Sequence, residues 1–359
     1  MSLRTADISY YAPEFIVEIN SREIFAEISK TILSVTIDQE LNKTNNFRFE
    51  VQDEFKGGRF QWLGHDLFKY GNNVSIRMGY VHNMHTMTEG KIQNISANFS
   101  KGTAPTFTVE GSDSAYEFLM EKSKAKVFIK KKDSEIVREI AQMEKAHLEA
   151  VVDETKHIFP SKTKQGGKSY FEFIKNMAQS NGFEFSLSGR KLYFVKPKKE
   201  KDSILTLKWG EELINFRPTL NTAQAITEVV VRSWDRTGKK HIEASVRAGE
   251  ETKQEKGKQL ASQIAREIYG DVVKVITDRP VTSVDEAREV AKSELEKASD
   301  SFIKASAETI GIPELKPSVC INVEGLGDWF SGKYYIEKVT HRIDNNGYRT
   351  NFEARRNSI

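Results

Sequence analysis

Seven histidines and one cysteine limit the side-chain chemistry open to this 359-residue chain. His82-Asn83-Met84-His85, with His65 upstream, puts three imidazoles in one region, and imidazole nitrogen is a common zinc ligand. Histidines three apart suit a helix face, but Gly79 and the alternating residues around it place this pair on a loop. No carboxylate pattern completes the set, so a solvated hairpin loop is expected and no metal. His341 falls on a strand face with Val339 and Ile343. A catalytic base needs a nucleophile or an orienting acid, and neither accompanies it. The expectation is a packed histidine bonded to backbone or to a neighbouring carboxylate. Cys320 stands alone, which excludes a disulfide within the chain and any cysteine-based zinc site.

Other chemistries fare no better. Gly57-Gly58-Arg59 and Gln165-Gly166-Gly167-Lys168 lack the spacing of a phosphate loop, and no Gly-x-Ser-x-Gly or His-Glu-x-x-His occurs. The 51 acidic residues leave room for a glycan-cleaving pair, but no spacing rule picks one out. Trp62, Trp209, Trp234 and Trp329 lie far apart and read as core or interface anchors. Lys122-Ser123-Lys124-Ala125-Lys126 followed by Lys130-Lys131-Lys132 is a basic cluster whose alternation suits one face of a strand. It can meet an acidic partner, or it can be a solvated edge guarded by lysines. The balance of 54 basic against 51 acidic residues leaves +3, which argues against a protein devoted to coating nucleic acid. No catalytic residue, cofactor or metal is expected, and the chain is read as not an enzyme.

The elements that would hold these residues are mostly strands. Tyr334 and Ile336, then Val339, His341 and Ile343, alternate up to the turn Asp344-Asn345-Asn346-Gly347. Beyond it Tyr348, Thr350, Phe352 and Ala354 share one face, and Arg349, Asn351, Glu353 and Arg355 the other. A long terminal hairpin follows, with Tyr334 and Phe352 inside and Gly332 where a bend or close backbone approach excludes a side chain. Residues 1–127 alternate at strand spacing with Gly and Asn punctuation, which suggests a barrel or sandwich. Asp133 and Ser169 then start helices, Asn181-Gly182 ends the second, and a hairpin through Phe185 and Phe194 completes a small α/β insert over 128–202.

Strands return over 203–249, and 250–310 reads as polar and helical, with Ser283-Val284-Asp285-Glu286 as a capping box. A second, discontinuous unit is therefore expected from 203–249 and 311–359, because neither segment alone has strands enough to close a barrel. The fold class is α+β, mostly β. At roughly 150 residues per domain this length fits two or three domains. Met1–Tyr10 has no signal-peptide core, and no apolar run approaches the ~20 residues of a membrane span. Synthesis in the cytoplasm is expected.

Gly327, Phe330, Ser331, Gly332, Tyr334, Tyr335, His341, Gly347, Tyr348, Thr350, Phe352, Ala354 and Arg355, in this order and spacing, resemble the closing motif of the late control gene D family. These are baseplate hub proteins of contractile phage tails, and VgrG spike proteins share the hub fold. Tyr70-Gly71-Asn72-Asn73-Val74-Ser75-Ile76 and the stretch from Glu89 to Asp113 resemble the family's first barrel, and Thr227–Asp235 its second. The resemblance implies two antiparallel β-barrels per chain and a homotrimer forming a pseudo-sixfold ring. Such a ring joins a sixfold tail tube to a threefold spike, among other baseplate components, with nucleic acid at most passing through the lumen. The final location would be the baseplate of a virion or injection particle in a bacterial system. Two other readings compete: a tail-associated cell-wall hydrolase, and the hub part of a VgrG-like secretion spike. With the chain ending at Ile359, the spike is expected to be a separate polypeptide.

Overall fold

The computed structural model describes residues 12–24, 26–223, 225–235 and 238–359, so Met1–Tyr10 lies outside the described residues. With 46% strand and 18% helix the chain is mostly β. The first third holds β1 (Pro13–Ile19), β2 (Arg22–Glu23), β3 (Ile32–Glu40), β4 (Asn46–Gln52), β5 (Phe55–Lys56), β6 (Arg59–Phe60), β7 (Asn73–Tyr80), β8 (Asn83–Asn98) and β9 (Thr106–Asp113). Next come β10 (Lys126–Lys132), β11 (Glu149–Val152), β12 (Ile158–Lys164), β13 (Glu184–Ser188) and β14 (Lys191–Val195). The rest carries β15 (Thr206–Lys208), β16 (Leu213–Leu220), β17 (Glu228–Asp235), β18 (Lys240–Arg247), β19 (Val273–Ile276), β20 (Ile303–Ile310), β21 (Cys320–Glu324), β22 (Gly332–Asp344) and β23 (Gly347–Arg356). The helices are α1 (Ala26–Ser29), α2 (Ser114–Met120), α3 (Asp133–Ala141), α4 (Tyr170–Asn181), α5 (Ala261–Tyr269), α6 (Val284–Asp300) and α7 (Gly327–Phe330).

The hydrogen bonds draw one sheet where two separate barrels were expected. Thirteen strands follow the path β16-β20-β23-β22-β3-β4-β9-β8-β7-β1-β2, with β21 and β15 branching from β22, and no closed barrel is found among the described residues. The joint is the antiparallel pair of β3 with Lys338–Asp344 of β22. A backbone edge left open in the interior costs unpaired N–H and C=O groups, and this pair satisfies two such edges at once.

On either side of the joint the same strand order occurs twice. The first unit runs β3-β4-β9-β8-β7-β1 and the second β16-β20-β23-β22-β21-β15. The irregularities coincide as well. A register shift falls between Ile32 and Ser34 of β3 and between Leu213 and Asn215 of β16, at the same place in each first strand. Another falls between Ile92 and Asn94 of β8 and between Ile336 and Lys338 of β22. The units differ in the outermost pair, antiparallel for β1 with β7 and parallel for β15 with β21, and in a register shift between Ile76 and Arg77 that β7–β8 has and β21–β22 lacks. A bulge inserts a residue and re-aims the strand, so shared bulges mark shared backbone architecture even where side chains have diverged.

Two expectations about 203–310 need correction. β17 and β18, expected in the second unit, form their own sheet in the order β18-β17-β19, with Val229, Val231, Ile242 and Val246 buried beneath Ala287, Val290 and Leu295 of α6. β20, inside the stretch read as helical, is an interior strand of the large sheet between β16 and β23. α4 and α6 start where expected, with Ser169 and Ser283 accepting the N–H of Glu172 and Glu286, and Gly182 closes α4 at φ 65°; α3 is capped by Lys132, with the expected cap Asp133 as its first helical residue. On α6, Ala287, Val290, Ala291 and Leu295 are buried, and Val284 of the capping box is exposed.

Phe352 lies in the core of the second unit with Tyr334, Ile336, Val339 and Ala354, whereas Arg349 on the opposite face makes only a solvated 3.7 Å ion pair with Glu308. Phe352→Ala is expected to cost about 3–5 kcal/mol, and Arg349→Ala to stay within about 0.5 kcal/mol of the parent. Urea midpoints of the two variants check this, and the reverse ranking would contradict the register.

Candidate functional site

The motif residues sit on and around the β22–β23 hairpin. Its tip is tight because Asp344 accepts the Asn346 N–H at 2.8 Å and Gly347 adopts φ 100°, which a side chain would oppose. The register shift after Ile336 changes the phase of β22. Tyr334, Tyr335 and Ile336 are therefore buried in succession, followed by Val339, His341 and Ile343 in alternation. On β23 the buried face is Tyr348, Thr350, Phe352 and Ala354. Ile343 and Tyr348 at the tip belong to the core of the first unit, while Val339 and Phe352 belong to that of the second. One hairpin thus plugs into two cores.

At the base, Gly332 has φ 136°, and a Cβ there would stand 2.7–2.9 Å from the Arg356 guanidinium. Arg356 is wholly buried; it donates to the Ser331 carbonyl at 2.6 Å, pairs with Glu255 at 3.3 Å and lies over the Tyr334 ring. The Tyr334 hydroxyl donates to the Phe330 carbonyl at 2.8 Å, which holds α7 and its Gly327 start against the strand. Sequence reasoning stopped at Arg355 and missed Arg356, because a charged residue ending a strand reads as solvated. Only its period-2 relation to Phe352 and Ala354 marked it as inward.

Arg355, expected on the outer face, is the centre of a second network. Its guanidinium meets Glu337 of β22, Glu184 of β13 at 3.3 Å and Asp300 at the end of α6 at 3.4 Å, and it lies over the Tyr335 ring. Lys199 completes the set with an ion pair to Asp300. Glu184 also accepts the hydroxyls of Tyr335 at 2.6 Å and Ser318 at 2.7 Å. Burial pushes the Glu184 carboxyl above its ordinary range, against the pull of Arg355. Burial works the same way on Asp300, but Arg355 and Lys199 outweigh it and hold that carboxyl below its ordinary range. A cavity of about 260 Å³ opens beside these groups. Arg355, Glu184, Asp300, Glu337 and Lys199 at its wall are paired with one another, as suits a structural tie.

His341 is packed, not poised. Its Nε2 lies 3.0 Å from the Leu315 carbonyl, which places the proton there, so Nδ1 accepts from the Tyr348 hydroxyl at 2.9 Å. Thr350 lies 3.2 Å from the same nitrogen and accepts the Ile312 N–H. His65 caps the turn Asp66–Phe68, and His85 reaches Asn83 and Glu314, so the three expected loop imidazoles are not brought to one point. Among the described residues no group of three or more His, Cys, Asp or Glu could hold a metal ion. In the basic cluster, Lys126 and Lys131 both pair with Glu139. A cleft of about 1040 Å³ between the first unit and the insert is lined by Glu18, Glu89, Glu117 and Glu121, of which Glu18, Glu117 and Glu121 pair with Arg77, Lys91 and Lys145. Trp209, Trp234 and Trp329 are exposed and Trp62 is buried.

Burial pushes the His341 pKa down to about 4 from an ordinary value near 6.5. The folded protein binds that proton less readily than the unfolded chain, so this contribution is complete above pH 6.5 and is lost as pH falls toward 4. It amounts to about 3 kcal/mol. The urea midpoint of the parent should therefore fall more steeply between pH 7 and pH 4 than that of His341→Gln. Parallel slopes would contradict the assignment.

Comparison with known proteins places this geometry. Among solved structures, the 43 kDa tail protein of prophage MuSo2 from Shewanella oneidensis superimposes with a TM-score of 0.73 at 14% identity, over 96% of this chain and 98% of that one. The tail protein of Neisseria meningitidis MC58 gives 0.70 at 12% identity, over 96% and 97%. An E. coli component of the type VI secretion system, described as similar to the T4 bacteriophage tail proteins gp27 and gp5, gives 0.60 at 12% identity, over 94% and 76%. At these identities the likeness is one of fold, a tail-protein fold. No curated protein matches by sequence. The family model that matches is not that of the late control gene D proteins to which the hairpin motif pointed. It covers residues 12–345, and by it the chain belongs to the family described as the Alg8 N-terminal domain.

Proposed function

We propose that this chain is the structural hub of a contractile phage tail or a phage-like injection machine. Three copies would form a ring that joins a sixfold tube to a threefold spike. The observation that carries the reading is the strand order repeated twice in one chain. A chain with two like units presents six of them in a trimer, so one ring offers sixfold contacts on one side while keeping threefold symmetry on the other. The two units stand for the two barrels of the hub. The tail-protein fold supports the same reading, as does the resemblance of the hairpin motif to that of the late control gene D family. Partners would be the tube protein, a separate spike and other baseplate components, with nucleic acid only passing through the lumen. The protein would be made in the bacterial cytoplasm and end in the baseplate of the particle.

The hub acts by presenting interfaces, with no chemical step. The ions around the hairpin are committed to one another, and His341 is held by a backbone carbonyl and a tyrosine hydroxyl. The likeness to the secretion-system component supports a second reading, the hub part of a VgrG-like spike, which uses the same ring.

Two measurements test the proposal. Sedimentation of the purified protein should give three times the 40.9 kDa chain mass; a single-copy mass at every concentration would count against it. A peptidoglycan zymogram should stay blank, and a clearing band abolished by changing one carboxylate would favour the hydrolase instead.

A further inference from the structure

The joint inside the chain shows how one unit accepts another. The β22 edge opposite β23 is divided: Gly332–Tyr335 takes β21, and Lys338–Asp344 takes β3. In the first unit β8 occupies the place of β22, with its register shift at the matching position. The β8 edge opposite β9 is divided in the same way, but only half of it is used. β7 runs along Asn83–Lys91, and from Asn94 to Asn98 the only strand partner among the described residues is β9.

This free half is exposed at every residue from Gln93 to Asn98. Its alternate positions are Ile95, Ala97 and Phe99, with Ile95 37% and Phe99 61% exposed. The matching positions of β22 are Val339, His341 and Ile343, which are buried beside β3. An apolar alternation on an open backbone edge is a strand face that lacks its neighbour. The matching open strand is β16, the counterpart of β3, which ends the sheet path; among the described residues β20 is its one strand partner, with a single bridge from Trp209 to Leu213 at its start.

We infer that β16 of one copy pairs antiparallel with Asn94–Asn98 of β8 in a second copy, repeating between chains the joint that β3 and β22 make within one. The inference rests on the ring proposed above and names the strands that close it. The shared bulges fix the register: Ser34 corresponds to Asn215, and Lys338 to Asn94. The pair Asp38–Thr340 then becomes Thr219 opposite Ser96, and Val35–Ile343 becomes Phe216 opposite Phe99. Phe99 of the second copy touches Phe60, which touches the exposed Phe55, so Phe216 of the first copy, edge-on to Tyr334 of its own chain at 5.3 Å, would extend an aromatic cluster. The contact joins different surfaces of the two copies, the kind that closes into a ring and not into a two-fold dimer.

Pro218 sets the strength. The Asn221 N–H points to β20, where it meets the Phe302 carbonyl, so by alternation the residue-218 nitrogen faces the open edge. The joint between copies lacks one N–H that Ile37 supplies within the chain, so it is weaker than the joint inside the chain by that hydrogen bond.

Paired cysteines test the register, since Ser96 and Thr219 are both exposed and the native Cys320 is buried. Ser96→Cys/Thr219→Cys should, on mild oxidation, give covalent oligomers at least tenfold more abundantly than the off-register pair Ser96→Cys/Asn215→Cys. Phe99→Asp should leave the circular dichroism unchanged and weaken association at least tenfold. Equal cross-linking by the two pairs, or undisturbed assembly of a folded Phe99→Asp, overturns the inference. If the parent chain is trimeric when that happens, the joint alone is lost and the ring stands. A parent that stays monomeric overturns both.

Discussion

A β-strand has two hydrogen-bonding edges, and β22 needs both along nearly its whole length. One is met by β23; the other is met first by β21 and then by β3, three hundred residues earlier in the chain. Most of the rest follows from that division. Because β3 completes the edge, the first unit cannot separate from the second without exposing a row of backbone groups on both. Because the shared strand is long and bulged, its tip lies in one core and its base in the other.

The ions buried around the hairpin make the arrangement specific. Arg355 gathers carboxylates from the insert, from α6 and from β22, so segments with little apolar contact with one another hold to a common point. Removing one partner of such a set strands the others without water, a loss of about 3–5 kcal/mol in buried pairs. Arg356 does the same at the base, where the absence of a side chain at Gly332 leaves room for the guanidinium. These residues tie two like units, an insert and a helical excursion into one relative placement, a rigidity that the proposed ring would need.

Much of this was legible in the residues. The inner face of β23 followed from period-2 alternation, as did β22 beyond its register shift, and the helix limits from Ser169, Gly182 and Ser283. What was not legible is pairing between distant strands. Thr227–Asp235 has the same β-branched pattern whether it joins the large sheet or one of its own, and only the amphipathic face of α6 decides which. β20 was hidden because Ala305 and Ala307, small residues facing Ala354 and Phe352, read as a continuation of the preceding helix. The repeated strand order is a property of hydrogen bonds and bulges. It survives with no visible repetition of side chains, so only coordinates disclose it. The Arg355 network escaped for a similar reason, since its partners come from four separate parts of the chain.

The most direct test of the hub account is an image of the assembled particle with this chain located in it. The account predicts three copies at the junction of tube and spike, each contributing two neighbouring positions of a sixfold ring through its two like units. Finding the chain elsewhere in the particle, or one chain at each of six equivalent positions, would contradict it.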